Sequence, residues 1–221
     1  MLLAIDTATQ RSSVALHDGF RLRAECTWES SNRHTVTLLP RVVQLLASCG
    51  LEPQDVTAIG VCIGPGSYTG VRIGVSVAKG FASASKLKLV GVPTLNILAA
   101  SQPRSPGPLY ATFSAGRTRV GYARYRWREN AWHAESGVQV VSWNELAETL
   151  AADTSPELPP IVVGEISSAG REALRPVFGR VEIPAPAWHL RRAGFLADIA
   201  WQRVRANQLD APSALLPLYA R

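Results

Sequence analysis

The chain has 221 residues, 47% of them hydrophobic and 18% charged, which suits one large domain or two small lobes around a buried core and excludes a disordered chain. It carries 23 Lys and Arg against 17 Asp and Glu, a net charge of +6, and the lysines among them are only Lys79, Lys86 and Lys88. This arginine-rich balance is compatible with a phosphate-bearing partner such as RNA, while the lack of any run of 18 apolar residues predicts no membrane span.

Residues 1–5 form a short apolar run that Asp6 breaks and no basic segment precedes. They read as a first strand rather than an export signal, so the expected location is the cytoplasm. The polar stretch 6–13 and the apolar residues 14–16 complete a hairpin. Asp18-Gly19 marks a second turn, followed by a strand over 22–28. Residues 32–49 read as a helix closed by Gly50. Thr37, Arg41, Gln44 and Ser48 make its one polar stripe, and the apolar remainder is wider than one sheet-facing stripe needs. Such a helix is covered on two sides, and Pro40 is expected to kink it. The cysteines, Cys26, Cys49 and Cys62, are odd in number and lack a CxxC pair; they read as buried thiols rather than a disulfide framework.

A wholly apolar strand over 58–63 runs into Gly64-Pro65-Gly66-Ser67-Tyr68-Thr69-Gly70, and a helix over 71–85 follows, rich in the small residues Gly74, Ser76, Ala78, Gly80 and Ala82. A strand over 89–92 and a helix from Thr94 complete a first α/β lobe. The stretch 101–108, with three prolines and a glycine, is the best linker. Strands are expected at 109–113, 120–127 and 138–141. A helix over 142–151 follows, with Ser142 and Glu145 at capping-box spacing. Then come a loop at 156–160, a strand at 161–163 and helices at 168–175 and 190–206. Three strands, then helix, strand and helix, thus occur twice. The expected lobes are 1–103, joined by the tail 208–221, and 104–207. The expected fold is α/β, two-lobed and actin/Hsp70/sugar-kinase-like (ribonuclease H-like), each lobe a mixed sheet with flanking helices.

Gly64–Gly70 is glycine-rich and precedes a helix N-terminus, which can hold an anion. It has neither the Walker ending nor the Rossmann spacing, so a tight strand-to-helix turn is the competing reading. No G-x-S-x-G elbow supports a hydrolase. The two-sided helices are the strongest positive signal. One face of each must cover its own sheet, and the leftover faces would make a helix-pair surface. Leu38, Val42, Val71 and Val75 are assigned to that surface, with His34, Arg72 and Lys79. Arg124, Arg126 and Arg128 alternate, so in a strand they share a face. Arg124 and Arg126 are candidate RNA-phosphate contacts, against the plainer reading of a solvated strand face.

Three segments carry a family resemblance: Leu3-Ala4-Ile5-Asp6-Thr7-Ala8-Thr9 with Ser13-Val14-Ala15-Leu16; Gly64 to Gly74, continuing to Ala78-Lys79-Gly80; and the tail Pro217-Leu218-Tyr219-Ala220-Arg221. Together they resemble the TsaB family, formerly called glycoprotease-like. The resemblance covers the first hundred residues well and the rest by element order. It implies a non-catalytic partner of the related protein TsaD, with the ATPase TsaE completing an assembly that transfers threonylcarbamoyl to adenosine 37 of ANN-decoding tRNAs. The same face would pair two copies when the chain is alone. The catalytic relative is marked by two metal-holding histidines four apart on a helix. Here His34 is followed four residues later by Leu38, so neither a metal site nor independent catalysis is expected. In the superfamily an early Asp and small hydroxyl residues of a hairpin wrap ATP phosphates. Asp6, Thr7 and Ser12, with Gly64 and Gly66, are therefore the candidate nucleotide contacts. The resemblance implies no cofactor of the chain's own, and ATP or ADP at the interface with the partner. The usual glycine after Asp is replaced, with Thr7 and Ala8 in that stretch. The acid that the family often carries before Arg117 is also missing, since Ser114-Ala115-Gly116 stands there. The runner-up activities are a small-molecule kinase or ATPase of the same superfamily and, least supported, a peptidase.

Overall fold

The computed structural model describes residues 1–30, 34–155 and 157–220. Three sequence expectations, the helix start at Asn32, Pro156 of the 156–160 loop and Arg221 of the tail, fall outside these. The chain forms two compact units, one from residues 1–97 and 191–219 and the other from 98–190.

The first unit is built on the strands β1 (Leu2–Asp6), β2 (Arg11–His17), β3 (Leu22–Glu29), β4 (Ala58–Cys62) and β5 (Lys88–Val92). Their order is β3-β2-β1-β4-β5. β1 pairs antiparallel with β2, with Ile5 opposite Val14, and parallel with β4, with Ile5 opposite Val61. β1 and β4 are buried at every position, which is why both read as unbroken apolar runs rather than alternating ones. At the β2–β3 turn the Asp18 carboxylate accepts the backbone N–H of Phe20 and of Arg21, and these bonds hold its carboxyl down at about 2.

Helices α1 (His34–Ser48) and α2 (Tyr68–Ser85) pack on one face of this sheet and α6 (Ala193–Arg205) on the other. Gly60 lies under Leu196 and Ala200 of α6, whereas its neighbour Val61 lies under Gly74 of α2. Successive strand residues point to opposite faces, so the two helix layers do too. Pro40 sits within α1 without ending it, on the exposed side. α2 starts at Tyr68, three residues before the apolar run suggests, because the Ser67 hydroxyl caps it by accepting the Gly70 N–H. The short α3 (Thr94–Ala100) carries the chain towards the second unit.

The unit boundaries differ from the expected ones, at 97/98 and 190/191 instead of 103/104 and 207/208. α6 is the reason. Its stripe Ala193, Leu196, Ala197, Ala200 and Val204 is buried against β1, β2, β4 and β5. Its start has no local side-chain cap; instead Glu25 of β3 accepts the Gly194 N–H and pairs with Arg192. A periodic stripe announces a helix but not the sheet it covers. Cys62 is fully buried, and burial pushes its thiol up, while Cys26 and Cys49 are only partly covered.

The second unit holds β6 (Leu109–Ser114), β7 (Arg119–Arg128), β8 (Ala131–Ala134), β9 (Gln139–Ser142) and β10 (Ile161–Gly164). The order is β10-β6-β7-β8, and β9 pairs with the first half of β7. β6 and β10 are parallel and the other pairs antiparallel, so this sheet too is mixed. β8 was not expected from the sequence. Its signal was the two-residue turn Glu129-Asn130, both residues left-handed, at φ 50 and 62. α4 (Trp143–Ala152) begins with the expected capping box: Glu145 N–H donates to the Ser142 hydroxyl, and Ser142 N–H to the Glu145 carboxylate. α5 (Ser168–Ala173) is shorter than read, and a 3-10 turn containing Pro176 follows it. The core gathers Tyr110, Val120, Tyr122, Trp143, Leu146 and Val162. Among the described residues no helix is long and apolar enough to cross a membrane.

Candidate functional site

Asp6 ends β1 with 1% of its surface exposed. One carboxylate oxygen accepts the Ala8 N–H at 2.9 Å, and the other accepts Arg191 Nε–H at 3.0 Å. The Arg191 guanidinium also donates to the Thr9 hydroxyl at 2.7 Å, and it is itself buried. Thr7 donates its hydroxyl proton to the Gly70 carbonyl at 2.7 Å. Ser12 and Ser30 place their hydroxyls 2.9 and 2.8 Å from Nδ1 of His34. Burial lowers the His34 pKa, with Asp6 opposing.

The glycine-rich turn closes over this hairpin. Ser67 N–H donates to the Ala8 carbonyl at 2.6 Å. A Cβ on Gly66 would stand 2.1 Å from the Ala8 carbonyl oxygen, and one on Gly70 would stand 2.1 Å from that of Thr7. The Gly64 carbonyl accepts the Thr94 N–H. The structure thus brings Asp6, Thr7, Gly64 and Gly66 around one turn, with Ser12 joined through His34. The side-chain polar groups of Asp6, Thr7 and Ser12 all have partners inside the protein. The glycines here allow backbone to meet backbone at close range. Arg191, Thr9 and Ser30 belong to this cluster and were missed. No local signal could have found Arg191, which lies 185 positions from Asp6. Among the described residues no group of three His, Cys, Asp or Glu side chains is placed to hold a metal.

The expected helix-pair surface needs correction. His34, Leu38, Val42, Val71 and Val75 are 0–4% exposed and belong to the core of their own unit. The opposite stripe of α1 faces outward: Val36 is 68% exposed, Leu39 44% and Val43 59%, beside the exposed Pro40. On α2, Arg72 is exposed and Lys79 half-buried, its ammonium donating to the Leu215 carbonyl. Arg72 stacks on the Tyr68 ring at 3.6 Å and donates to the Tyr219 hydroxyl at 2.7 Å. Tyr219 belongs to the carboxy-terminal tail, which is strapped to the first unit. Asp210 accepts the Gly91 N–H, Leu215 is buried, and Leu218 N–H donates to the Ile63 carbonyl. Leu216, Leu218 and Tyr219 of the tail are also exposed, as is Tyr68, whose ring lies 5.2 Å from that of Tyr219. The 36/39/43 stripe was visible as half of a double stripe on α1; which half is buried was not.

The arginine strand also reads differently in three dimensions. Arg124 and Arg126 share a face of β7 with Arg128, but that face is an internal ion-pair network, not an open row of cations. Arg124 makes a two-pronged bond to Asp153 at 2.8 and 3.0 Å and pairs with Glu135. Arg126 and Arg128 approach the same Glu135 at 3.7 and 2.8 Å. Burial alone would raise the Asp153 pKa; the bonds from Arg124 and Tyr110 prevail and lower it.

Residues 28–201 match the family described as TsaD: tRNA N6-adenosine threonylcarbamoyltransferase. The chain is 30% identical to the tRNA threonylcarbamoyladenosine biosynthesis protein TsaB of Bacillus subtilis, over 100% of its own length and 93% of the relative's. It is 39% identical to the Escherichia coli protein of the same name, over 61% of this chain and 59% of that one. The solved structure of YeaZ from Pseudomonas aeruginosa superposes at a TM-score of 0.77 with 26% identity, covering 99% of both chains. A component of (R)-2-hydroxyglutaryl-CoA dehydratase from Acidaminococcus fermentans, 11% identical at a TM-score of 0.53, shares the fold alone.

Proposed function

This chain belongs to the TsaB family, and we propose that it serves tRNA threonylcarbamoyladenosine synthesis as the non-catalytic partner of a TsaD-type protein. In that assembly a threonylcarbamoyl group passes to adenosine 37 of ANN-decoding tRNAs in the cytoplasm, and a TsaE-type ATPase joins the pair. The single observation that carries the reading is the outward stripe Val36, Leu39 and Val43 of α1. Solvent-facing β-branched and leucine side chains at consecutive turns of one helix are what a helix-packing interface needs and an isolated surface helix does not.

The hairpin supports leaving the chemistry to the partner. Asp6 is committed to Arg191 and Ala8, Thr7 to Gly70, and Ser12 to His34. A phosphate or metal would have to displace those bonds, which an independent kinase or ATPase would do at each turnover. ATP or ADP is accordingly assigned to the partner or to the interface with it.

Val43→Asp tests the surface. Val43 is exposed, so the variant folds, and its association with the cognate TsaD-type protein is expected to weaken at least about 30-fold, the scale of losing a central apolar anchor. Sedimentation of the mixed proteins reads the result. Undiminished association would reject this face as the partner surface.

A further inference from the structure

We propose that Arg203, Asp210 and Leu215 form a guard on the open edge of the first sheet, and that the occupant they exclude is the same edge of a second copy. β5 ends the strand order β3-β2-β1-β4-β5, so among the described residues only its β4 side is paired to a strand. The segment Leu87-Lys88-Leu89-Val90-Gly91-Val92 is apolar except for Lys88. Leu89, Val90 and Val92 are at most 1% exposed. A strand of this composition with a bare edge is a template on which another extended chain can add. In a parallel ladder the N–H and C=O of one residue point to the same side, so the groups turned away from β4 are those of Leu89 and Gly91.

Those groups are taken by the end of the chain. The Leu89 carbonyl accepts the Asp210 N–H at 2.9 Å. Gly91 N–H donates to the Asp210 carboxylate at 2.8 Å, and the Gly91 carbonyl accepts an N–H of the Arg203 guanidinium at 2.7 Å. Arg203 and Asp210 pair with each other at 3.2 Å. A carboxylate and a guanidinium thus stand where the C=O and N–H of a sixth strand would stand. Being side chains, they end the ladder, whereas a strand would pass its own open edge outward. Leu215 closes the adjoining face: a Cβ on Gly91 would lie 2.6 Å from its Cδ1, and Lys79 holds Leu215 in place by donating to its carbonyl at 3.1 Å. The Arg203–Asp210 pair is about one-third exposed and contributes little as a charge pair alone. Its effect lies in the bonds each partner makes to the strand. A second copy is the excluded occupant because its β5 offers the same acceptor at Leu89 and the same donor and acceptor at Gly91. Two such edges related by a two-fold axis run antiparallel and satisfy each other.

The test is amide hydrogen exchange resolved by NMR, with sedimentation, on the full chain carrying Arg203→Met and Asp210→Ala together. Both side chains lie at the surface, so the variant folds. In dilute solution its Gly91 N–H should exchange at least about tenfold faster than in the unaltered chain, the scale of losing a bond to a charged acceptor. In concentrated solution it should self-associate more than the unaltered chain, and the Gly91 amide should regain protection as the edges pair. Asp210→Ala alone, which leaves the main-chain bond to Leu89, should show both effects in smaller measure. Leu146→Ala, in the core of the second unit, lowers stability without uncovering β5, and should associate no more than the unaltered chain under conditions where it stays folded. The proposal is overturned if Gly91 exchange in the double variant is unchanged, if association leaves that amide unprotected, or if Leu146→Ala associates as strongly, which would make lost stability rather than an opened edge the cause.

Discussion

Asp6→Ala is expected to lower the stability of the first unit by about 3–5 kcal/mol, the scale of breaking a buried ion pair from one side. Asp6 and the Arg191 side chain are 1% and 6% exposed, and their contact at 3.0 Å is the charge pair buried deepest in that unit's core. Removing the carboxylate takes from the buried guanidinium its ion pair with Asp6 and orphans the Ala8 N–H at the mouth of the hairpin. Two controls separate charge from shape. Asp6→Asn keeps an acceptor and should lose less. The double variant Asp6→Leu/Arg191→Met replaces both charges by apolar groups and should recover much of the loss, since a buried pair exchanged as a whole is often near neutral. Guanidinium denaturation, followed by the fluorescence of the tryptophans, measures all three. A loss under about 1 kcal/mol for Asp6→Ala would mean that water reaches Arg191 and that the pair does not hold the hairpin shut.

Gly70→Ala should destabilise by about 3 kcal/mol, although helix propensity alone favours alanine there by about 1 kcal/mol. The new Cβ would lie 2.1 Å from the Thr7 carbonyl oxygen and 3.3 Å from Nε2 of His34. The obstacle is backbone, so no side chain can swing away; either α2 or the β1–β2 hairpin must move. Gly80, ten residues on in the same helix, has nothing within 4 Å of its would-be Cβ. Gly80→Ala should therefore stabilise, by about 0.5–1 kcal/mol. The opposite signs are the prediction, read from paired denaturation curves. Two stabilising substitutions would show that the turn and hairpin do not pack as described.

Local signals carried the sequence reading a long way. Burial on both faces made β1 and β4 legible as apolar runs. The Ser142 and Glu145 spacing predicted a cap that forms, and the α1 pattern predicted a helix with two apolar sides. β8 was missed because four residues flanked by a Glu-Asn turn offer little periodicity. α6 was recognised as a helix and assigned to the wrong unit, because its partner strands lie well over a hundred residues earlier.

The errors at the site share one physical cause. A double apolar stripe contains two equivalent answers, and only the sheet decides that Leu38 and Val42 go inside while Val36 and Val43 stay in water. An arginine has no fixed meaning until its counter-charge is known: Arg124 meets Asp153 and Glu135, Arg191 meets Asp6, and Arg72 meets two tyrosines. Backbone propensity, capping and periodicity act over a few residues, so the amino-acid sequence by itself determined the elements, their order and the family. Burial and charge pairing act between residues far apart in the chain, so only the tertiary structure decided which side of α1 remains open and that Arg124 and Arg191 are paired within the fold.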